Sequence, residues 1–319
     1  MTGARFMQEL AIKGGELTAA NTANPIESFL EALDASEKTR ETYRRALRAW
    51  TGYLEREEIS LFETTRQTVL NYKRDLQKTK APASVNAYLT SVRQLYAWLE
   101  SERIYPNVAK TIKGCKKPKA ASKDALTVEQ AKSILSSQPE TLEEKRNAAI
   151  LSLMIRRGLR AIEITRANVR DIRQVDGQPT LFVQGKGRAT ADAFIVLTQT
   201  CLEAIYSYLD ARAEAYGQPQ GSEPLFIGLG NRNSGGRLTT RTIRNIASQA
   251  LENEGIKSAR LTGHSLRHSS VTFALKGGAS LQAAQALARH SSIETTMIYA
   301  HNLERLNAEA ELAIDRLLA

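Results

Sequence analysis

The stretch GHSLRHSSVTFALKGGASLQAAQALARHSSIETTMIYAH, residues 263–301, decides how the rest of the 319-residue chain is read. Among small and apolar residues it sets His264, Arg267, His290 and Tyr299, and it holds all 4 histidines of the protein, the others being His268 and His301. Small residues let helices approach closely, so the few large polar side chains have assigned places. His264 and Arg267 are three apart and share one face of a helix. A hydrogen-bonding ring beside a guanidinium makes a clamp for phosphate, because the planar fork of donors meets two oxygens at once. His264 and His268 could also pair on a zinc ion. Against that, Ser265 stands where zinc proteases carry a glutamate, and the charge of Arg267 between the two rings would repel a metal. His268 reads as a support behind the clamp, and His301 as a helix-start residue with no assigned role.

At this point the residues resemble a family. His264-Ser265-Leu266-Arg267-His268, Ala288-Arg289-His290-Ser291-Ser292 and Thr295-Thr296-Met297-Ile298-Tyr299 are similar to the H-x-L-R-H, L-G-H-S and T-x-x-Y signatures of tyrosine recombinases, the phage integrase family. Upstream, in the same order, Gly158-Leu159-Arg160-Ala161-Ile162-Glu163 resembles its G-L-R-x-x-E, and Gln184-Gly185-Lys186-Gly187 its G-K-G strand turn. Arg289 stands where the family usually has glycine. Ala189-Thr190-Ala191 replaces a second basic pair that relatives commonly carry after the turn. The resemblance runs over roughly residues 25–319, of the simple two-domain Xer/Cre-like type.

The resemblance implies a mechanism. A phosphodiester under attack gathers charge on its non-bridging oxygens, so cations, a nucleophile and a proton donor are needed. Arg160 and Arg267, helped by His264 and His290, would supply the charge, Tyr299 the nucleophile of a 3′-phosphotyrosine intermediate, and Lys186 the proton for the departing 5′ oxygen. Glu163 and His268 would hold these groups in place. Bond energy is kept in the covalent link, so neither ATP, a metal nor another cofactor is expected. The implied activity is site-specific recombination through a Holliday junction (integration, excision or resolution), with double-stranded DNA as partner and a homotetramer assembled through the C-terminal helix. The alternatives are a DNA-binding regulator without strand exchange and a nicking-closing enzyme like a type IB topoisomerase.

The bulk properties agree with a nucleic-acid partner. A net charge of +10 and a pI near 9.6 favour a polyanion. No apolar run is long enough to span a bilayer, and residues 1–15 lack a signal-peptide core, so a cytoplasmic protein without a membrane partner is expected. The 2 cysteines, Cys115 and Cys201, cannot assemble a disulfide framework or a four-ligand zinc site.

In chain order, residues 1–22 read as a loosely packed extension, too short for an additional arm-binding domain. Residues 23–107 read as a small helical domain in which Tyr43, Leu47, Trp50 and Leu54, then Val85, Leu89, Val92, Tyr96 and Leu99, mark buried stripes. Arg40, Arg44, Arg45, Arg48 and Arg93 lie off those stripes as candidate DNA contacts. Residues 108–123 read as a basic linker whose lysines, Lys116 and Lys117 among them, could follow a phosphate backbone. A second domain over 124–319 opens with a Thr127/Gln130 capping box and a buried helix over 145–157. A hairpin pairing 181–183 with 194–197 follows, then a Gly/Asn loop at 228–236 and a helix carrying Arg237, Arg241 and Arg244 on one basic face. Leu303, Leu306, Ala310, Ile314 and Leu317 form the stripe of a last helix. The expected architecture is mainly α with a small β-sheet: an N-terminal core-binding, SAM-like domain and a C-terminal catalytic domain closing as a C-clamp on DNA.

Overall fold

The computed structural model describes residues 24–116, 124–185, 188, 190–306 and 309–318. The 1–22 extension, Lys117 and Lys186 lie outside them. Chain contacts divide the protein into two compact units, 1–119 and 120–319.

In the first unit, α1 (Pro25–Ala32), α2 (Glu37–Arg56), α3 (Arg66–Thr79) and α4 (Pro82–Ser101) bundle around an aromatic core. Each start has a local cause. Asn24, Ser36 and Thr65 accept backbone N–H groups of the first turns, and Pro82 supplies a preset φ at the head of α4. The stripe Val85, Leu89, Val92, Tyr96 and Leu99 is fully buried. Against it Trp50 stacks on Tyr53 at 5.8 Å and tilts onto Tyr72 at 4.8 Å. The Tyr96 hydroxyl, otherwise stranded in this core, meets Thr64 Oγ1 at 2.6 Å and Leu61 O at 3.2 Å.

Three expectations change here. Residues 108–116, read as linker, join this unit. Ala109 and Ile112 are buried in its core, and Asn86 brackets Cys115 by accepting from its N–H at 2.6 Å and donating to its carbonyl at 3.0 Å. Arg40 and Arg44 do not simply face solvent. Arg40 donates to Leu33 O, and Arg44 to Glu27 Oε2 at 3.3 Å. Arg93, read as exposed, is half-buried, with Nε and Nη2 shielded from solvent. Arg45, Arg48 and Lys116 are exposed.

The second unit is built on α6 (Leu142–Arg157), which packs against α8 (Gln199–Tyr216) and α10 (Gly263–Lys276), with α5 (Val128–Leu135) on its flank. Both reciprocal bonds of the Thr127/Gln130 capping box form at the start of α5. A second box, Thr141/Glu144, starts α6 three residues before the expected boundary. Its middle, Ala149 to Ile155, is buried almost continuously. The sheet has three antiparallel strands in the order β1 (Ile172–Val175), β2 (Gln178–Val183), β3 (Ala193–Val196). The hairpin expected between 181–183 and 194–197 is present, with Leu181 opposite Ile195 and Val183 opposite Ala193 and the second strand starting one residue earlier, and β1 is additional. Its signal was Asp176-Gly177, both with positive φ (49° and 74°), the two-residue turn that joins tightly twisted strands.

Helix α9 (Thr240–Asn253) is capped by Thr239, so Arg237 precedes it and is not on its basic face. The guanidinium of Arg237 instead donates to Thr165 O at 2.7 Å, Ala167 O at 3.2 Å and Asn168 Oδ1 at 2.5 Å. Arg241 and Arg244 are on α9 and exposed. The chain ends in α11 (Leu281–Ala288), α12 (Glu294–Leu306) and α13 (Glu309–Leu318). The described parts of the last helix expected from Leu303 onward, residues 303–306 and 309–318, are helical, and His301 lies inside α12, not at a helix start. Among the described residues, no helix is long and apolar enough to cross a membrane.

Trp50 is fully buried and central to the first core. Trp50→Ala is expected to cost about 3–5 kcal/mol of stability, read by denaturant unfolding followed by circular dichroism.

Candidate active site

The turn at Gly158 carries the site. Gly158 ends α6 in the left-handed conformation at φ 60°, with its N–H returning to Leu153 O. A β-carbon there would meet Ser270 Oγ of α10 at 3.1 Å, so glycine answers both the backbone and the close approach of the helix. Two residues later Arg160 begins α7 (Ala161–Arg166).

Glu163, one turn into α7, is fully buried. Its Oε2 accepts the backbone N–H of Arg160 at 2.7 Å, and its Oε1 accepts Nη1 of the same arginine at 2.7 Å. From the other side Arg289 donates Nη2 to Oε2 at 2.8 Å. Burial alone would raise the carboxyl pKa. The charge of Arg289, with hydrogen bonds from Arg160 and Arg289, outweighs it and holds Glu163 below the usual carboxylate range.

Arg267, on α10, is buried, and its two terminal nitrogens donate to Gly158 O and Ala288 O. The fork read from sequence as a phosphate grip is therefore anchored on backbone carbonyls. Each terminal nitrogen keeps a second hydrogen, and Nε keeps its own. Burial, Arg160 and Arg289 pull its pKa below the ordinary arginine value, yet it stays charged at neutral pH. Arg160 is the more open cation, with its side chain 32% exposed.

His290 follows α11 and bonds Thr296 Oγ1 through Nδ1 at 2.9 Å. Thr296 is buried and went unremarked in the sequence, although it belongs to the quoted Thr295 to Tyr299 run. Burial, then Arg267, Arg160, Arg289 and His264, depress the His290 pKa to about 4, so the ring is neutral at physiological pH. Tyr299, on α12, stacks on His290 at 6.3 Å and is half-buried against Val271, Ala284 and Ala288. Its hydroxyl hydrogen-bonds His268 Nδ1. His264 meets the edge of His268 at 4.6 Å. Burial raises the phenol pKa, and the Arg267 charge opposes that rise.

Arg160, Glu163, His264, Arg267, His268, His290 and Tyr299 thus converge within one unit, with Arg289 added. Three guanidinium groups face one carboxylate, which leaves an unbalanced positive charge beside a phenol and a neutral imidazole: a receptor for an anionic, electrophilic centre. Among the described residues no group of acidic, histidine or cysteine side chains could hold a metal ion. The second unit also carries a groove of about 710 Å³ lined by Val128, Leu135, Ile155, Phe273 and Leu287 among others.

The chain matches known proteins over both domains. Residues 124–305 match the phage integrase family, and residues 26–103 its N-terminal SAM-like domain. Tyrosine recombinase XerC of Myxococcus xanthus is 31% identical over 254 residues, covering 77% of this chain and 80% of that protein. XerD of Halalkalibacterium halodurans is 31% identical over 275 residues, covering 83% and 87%. Among solved structures, XerH recombinase in a post-cleavage complex with a palindromic difH substrate superposes with a TM-score of 0.71 at 20% identity, covering 89% of this chain and 83% of that one. A lambda integrase tetramer bound to a Holliday junction gives 0.61 at 17% identity, covering 91% and 85%. The chain belongs to the phage integrase family and is a tyrosine recombinase.

The depressed His290 pKa has a thermodynamic consequence. Between its folded value of about 4 and the ordinary 6.5 the unfolded chain binds the proton and the native protein does not. Stability is therefore lost as pH falls through that window. Relative to His290→Gln, the wild-type melting midpoint is expected to drop further between neutral and mildly acidic pH. After discounting for partial exposure the difference is about 2–4 °C, read by calorimetry.

Proposed function

We propose that the protein is a site-specific DNA recombinase in which Tyr299 cleaves one strand and forms a 3′-phosphotyrosine. The observation that carries this is the phenol held beside Arg267, His268 and His290 in a site whose arginines outnumber its carboxylate. In the proposed step the Tyr299 oxygen attacks phosphorus and its proton passes to His268 Nδ1. The bond from phosphorus to the 5′ oxygen breaks, and Lys186 protonates the leaving oxygen. Arg160 and Arg267, with His264 and His290, meet the charge that grows on the non-bridging oxygens. Attack by a 5′ hydroxyl of the partner strand reverses these transfers and reseals the DNA without ATP or a metal cofactor.

Duplex DNA is held, in this reading, by both units: Arg45, Arg48 and Lys116 of the first, together with Lys117 next in sequence, and Arg241 and Arg244 of the second. The domain division proposed is a core-binding domain and a catalytic domain, each contacting the duplex. The setting is the cytoplasm, where such DNA resides. Assembly is proposed to be a homotetramer on a Holliday junction, as in the lambda integrase complex. Support comes from α13, whose Leu312, Ile314, Leu317 and Leu318 are 53–84% exposed, and from the groove of the same unit, apolar at Val128, Leu135, Ile155, Phe273 and Leu287 and edged by Lys132, Arg156 and Arg157, which a neighbour's α13 would fill.

Incubation with a suicide duplex carrying a binding-selected site, without divalent metal, is expected to give a covalent adduct on a denaturing gel. Tyr299→Phe should abolish it while retaining binding, and His268→Ala should slow it about 10²-fold or more. Binding without an adduct would identify a regulator, and cleavage without site preference a topoisomerase-like enzyme. Deleting residues 309–318 is expected to leave the adduct and remove the tetrameric junction complex, read by analytical ultracentrifugation on synthetic junction DNA.

A further inference from the structure

An arginine occupies a backbone position that suits glycine. Arg289 ends α11 at φ 52°, where a β-carbon is strained. Its side chain must make contacts that offset this, and it is folded inward, only 11% exposed. Nη2 donates to Glu163 Oε2 at 2.8 Å and to Gly158 O at 3.0 Å, Nε approaches Glu163 Oε1 at 3.4 Å, and Nη1 donates to Leu287 O at 2.7 Å. With four of the five N–H groups of a guanidinium so committed, little is left for a substrate phosphate. Its partners are the anchors of the two other arginines. Glu163 fixes Arg160, and the Gly158 carbonyl also receives Arg267.

We infer that Arg289 is a positioning residue: it clamps Glu163 and the Gly158 carbonyl together from the end of α11, setting Arg160, Arg267 and the adjoining His290 at fixed separations. The inference rests on the function proposed above. It also accounts for a third cation in a crowded site. A carboxylate as deeply buried as Glu163 stays ionised only with opposite charge on more than one side. The charged groups around it are Arg160 on α7, Arg267 on α10 and Arg289; α9, which also packs on α7, turns Arg241 and Arg244 to solvent. Removing Arg289 leaves Glu163 with half its hydrogen-bonded support, and Arg160 with a partner that protonates more readily.

The test uses the full chain and two variants. Arg289→Gly suits the left-handed backbone and is expected to fold; Arg289→Lys keeps the charge and loses the fork. Carbon-13 NMR of the Glu163 carboxyl in the DNA-free protein reads the clamp directly. Single-turnover adduct formation on the suicide duplex, followed against pH, reads its effect on chemistry. For Arg289→Gly the expected results are an upward move of the Glu163 titration midpoint, a fall of ~10-fold or more in cleavage rate, an acid limb displaced upward in step, and unchanged DNA affinity. Arg289→Lys should restore the titration and only part of the rate. Wild-type cleavage by Arg289→Gly with an unmoved Glu163 midpoint would overturn the inference, as would loss of DNA affinity in place of rate, which would make Arg289 a phosphate contact. If the wild-type protein itself forms no adduct, the recombinase reading fails, while the carboxyl titration still decides for or against the clamp.

Discussion

A single buried carboxylate lets three guanidinium groups share one small volume. Two like charges about 5 Å apart repel by roughly 3 kcal/mol at an effective dielectric of 20, so an unbalanced cluster of arginines would push itself apart or lose its protons. Glu163 prevents this by accepting from Arg160 on one side and Arg289 on the other. It is fully buried, so its two ion pairs are weakly screened, and it is held from α7 by Arg160 and from the end of α11 by Arg289. The Gly158 carbonyl performs the same service for Arg267 and Arg289 through a dipole instead of a charge. Both anchors lie within six residues of each other in sequence, on either side of one tight turn.

The consequence is a site whose cations are set before any substrate arrives. Electrostatic stabilisation of a transition state is strongest when the donors need not reorganise, and backbone carbonyls and a buried carboxylate are about as fixed as partners can be. Neutral His290 fits the same logic. Partly buried, and surrounded by Arg267, Arg160 and Arg289, it holds no proton at neutral pH, so it serves as a hydrogen-bonding ring and adds nothing to the repulsion. Thr296 fixes which way that ring points.

What could be read from sequence was whatever depends on residue identity at close spacing. Gly158 to Glu163 and His264 to His268 each fit on a turn or two of helix, so their order alone implied contact, and the capping box at Thr127 depends only on local geometry. The strand β1 went unread because four residues carry little periodicity, although Asp176-Gly177 announced its turn. Arg237 was mistaken for a helical residue because its spacing of four and three with Arg241 and Arg244 mimics a helix face; Thr239, the capping side chain between them, was the contrary signal. Arg40 and Arg44 lie off the apolar stripe as expected, but whether such a side chain meets solvent or Leu33 O and Glu27 depends on where α1 packs. Ala109 and Ile112 were too sparse to suggest burial in a lysine-rich segment. Arg289 could be flagged as unusual, yet its left-handed φ and its reach to Glu163, 126 residues away, exist only in the folded chain.

The proposed nucleophile, Tyr299, stands on different footing from the cations. Arg160 and Arg267 hang from α7 and α10, which are seated in the main core of their unit, whereas Tyr299 rides on α12, where Thr296 is the one fully buried side chain among those described. Met297 and Ile298 on the same helix, and Ile293 just before it, are all at least 36% exposed. The tyrosine is held by a small cluster with Val271, Ala284 and Ala288, by the His290 ring and by one hydrogen bond to His268. An element with so little buried apolar area moves at low cost, since each square ångström left in water forgoes only about 25 cal/mol of hydrophobic stabilisation. Rigid cations with a loosely seated phenol suit the proposed chemistry, which runs in both directions: the cations would define where phosphorus sits, and the phenol would leave His268 to attack it. Among the described residues, Ile293, Met297 and Ile298, then Leu312, Ile314, Leu317 and Leu318, are apolar side chains left open to another protein.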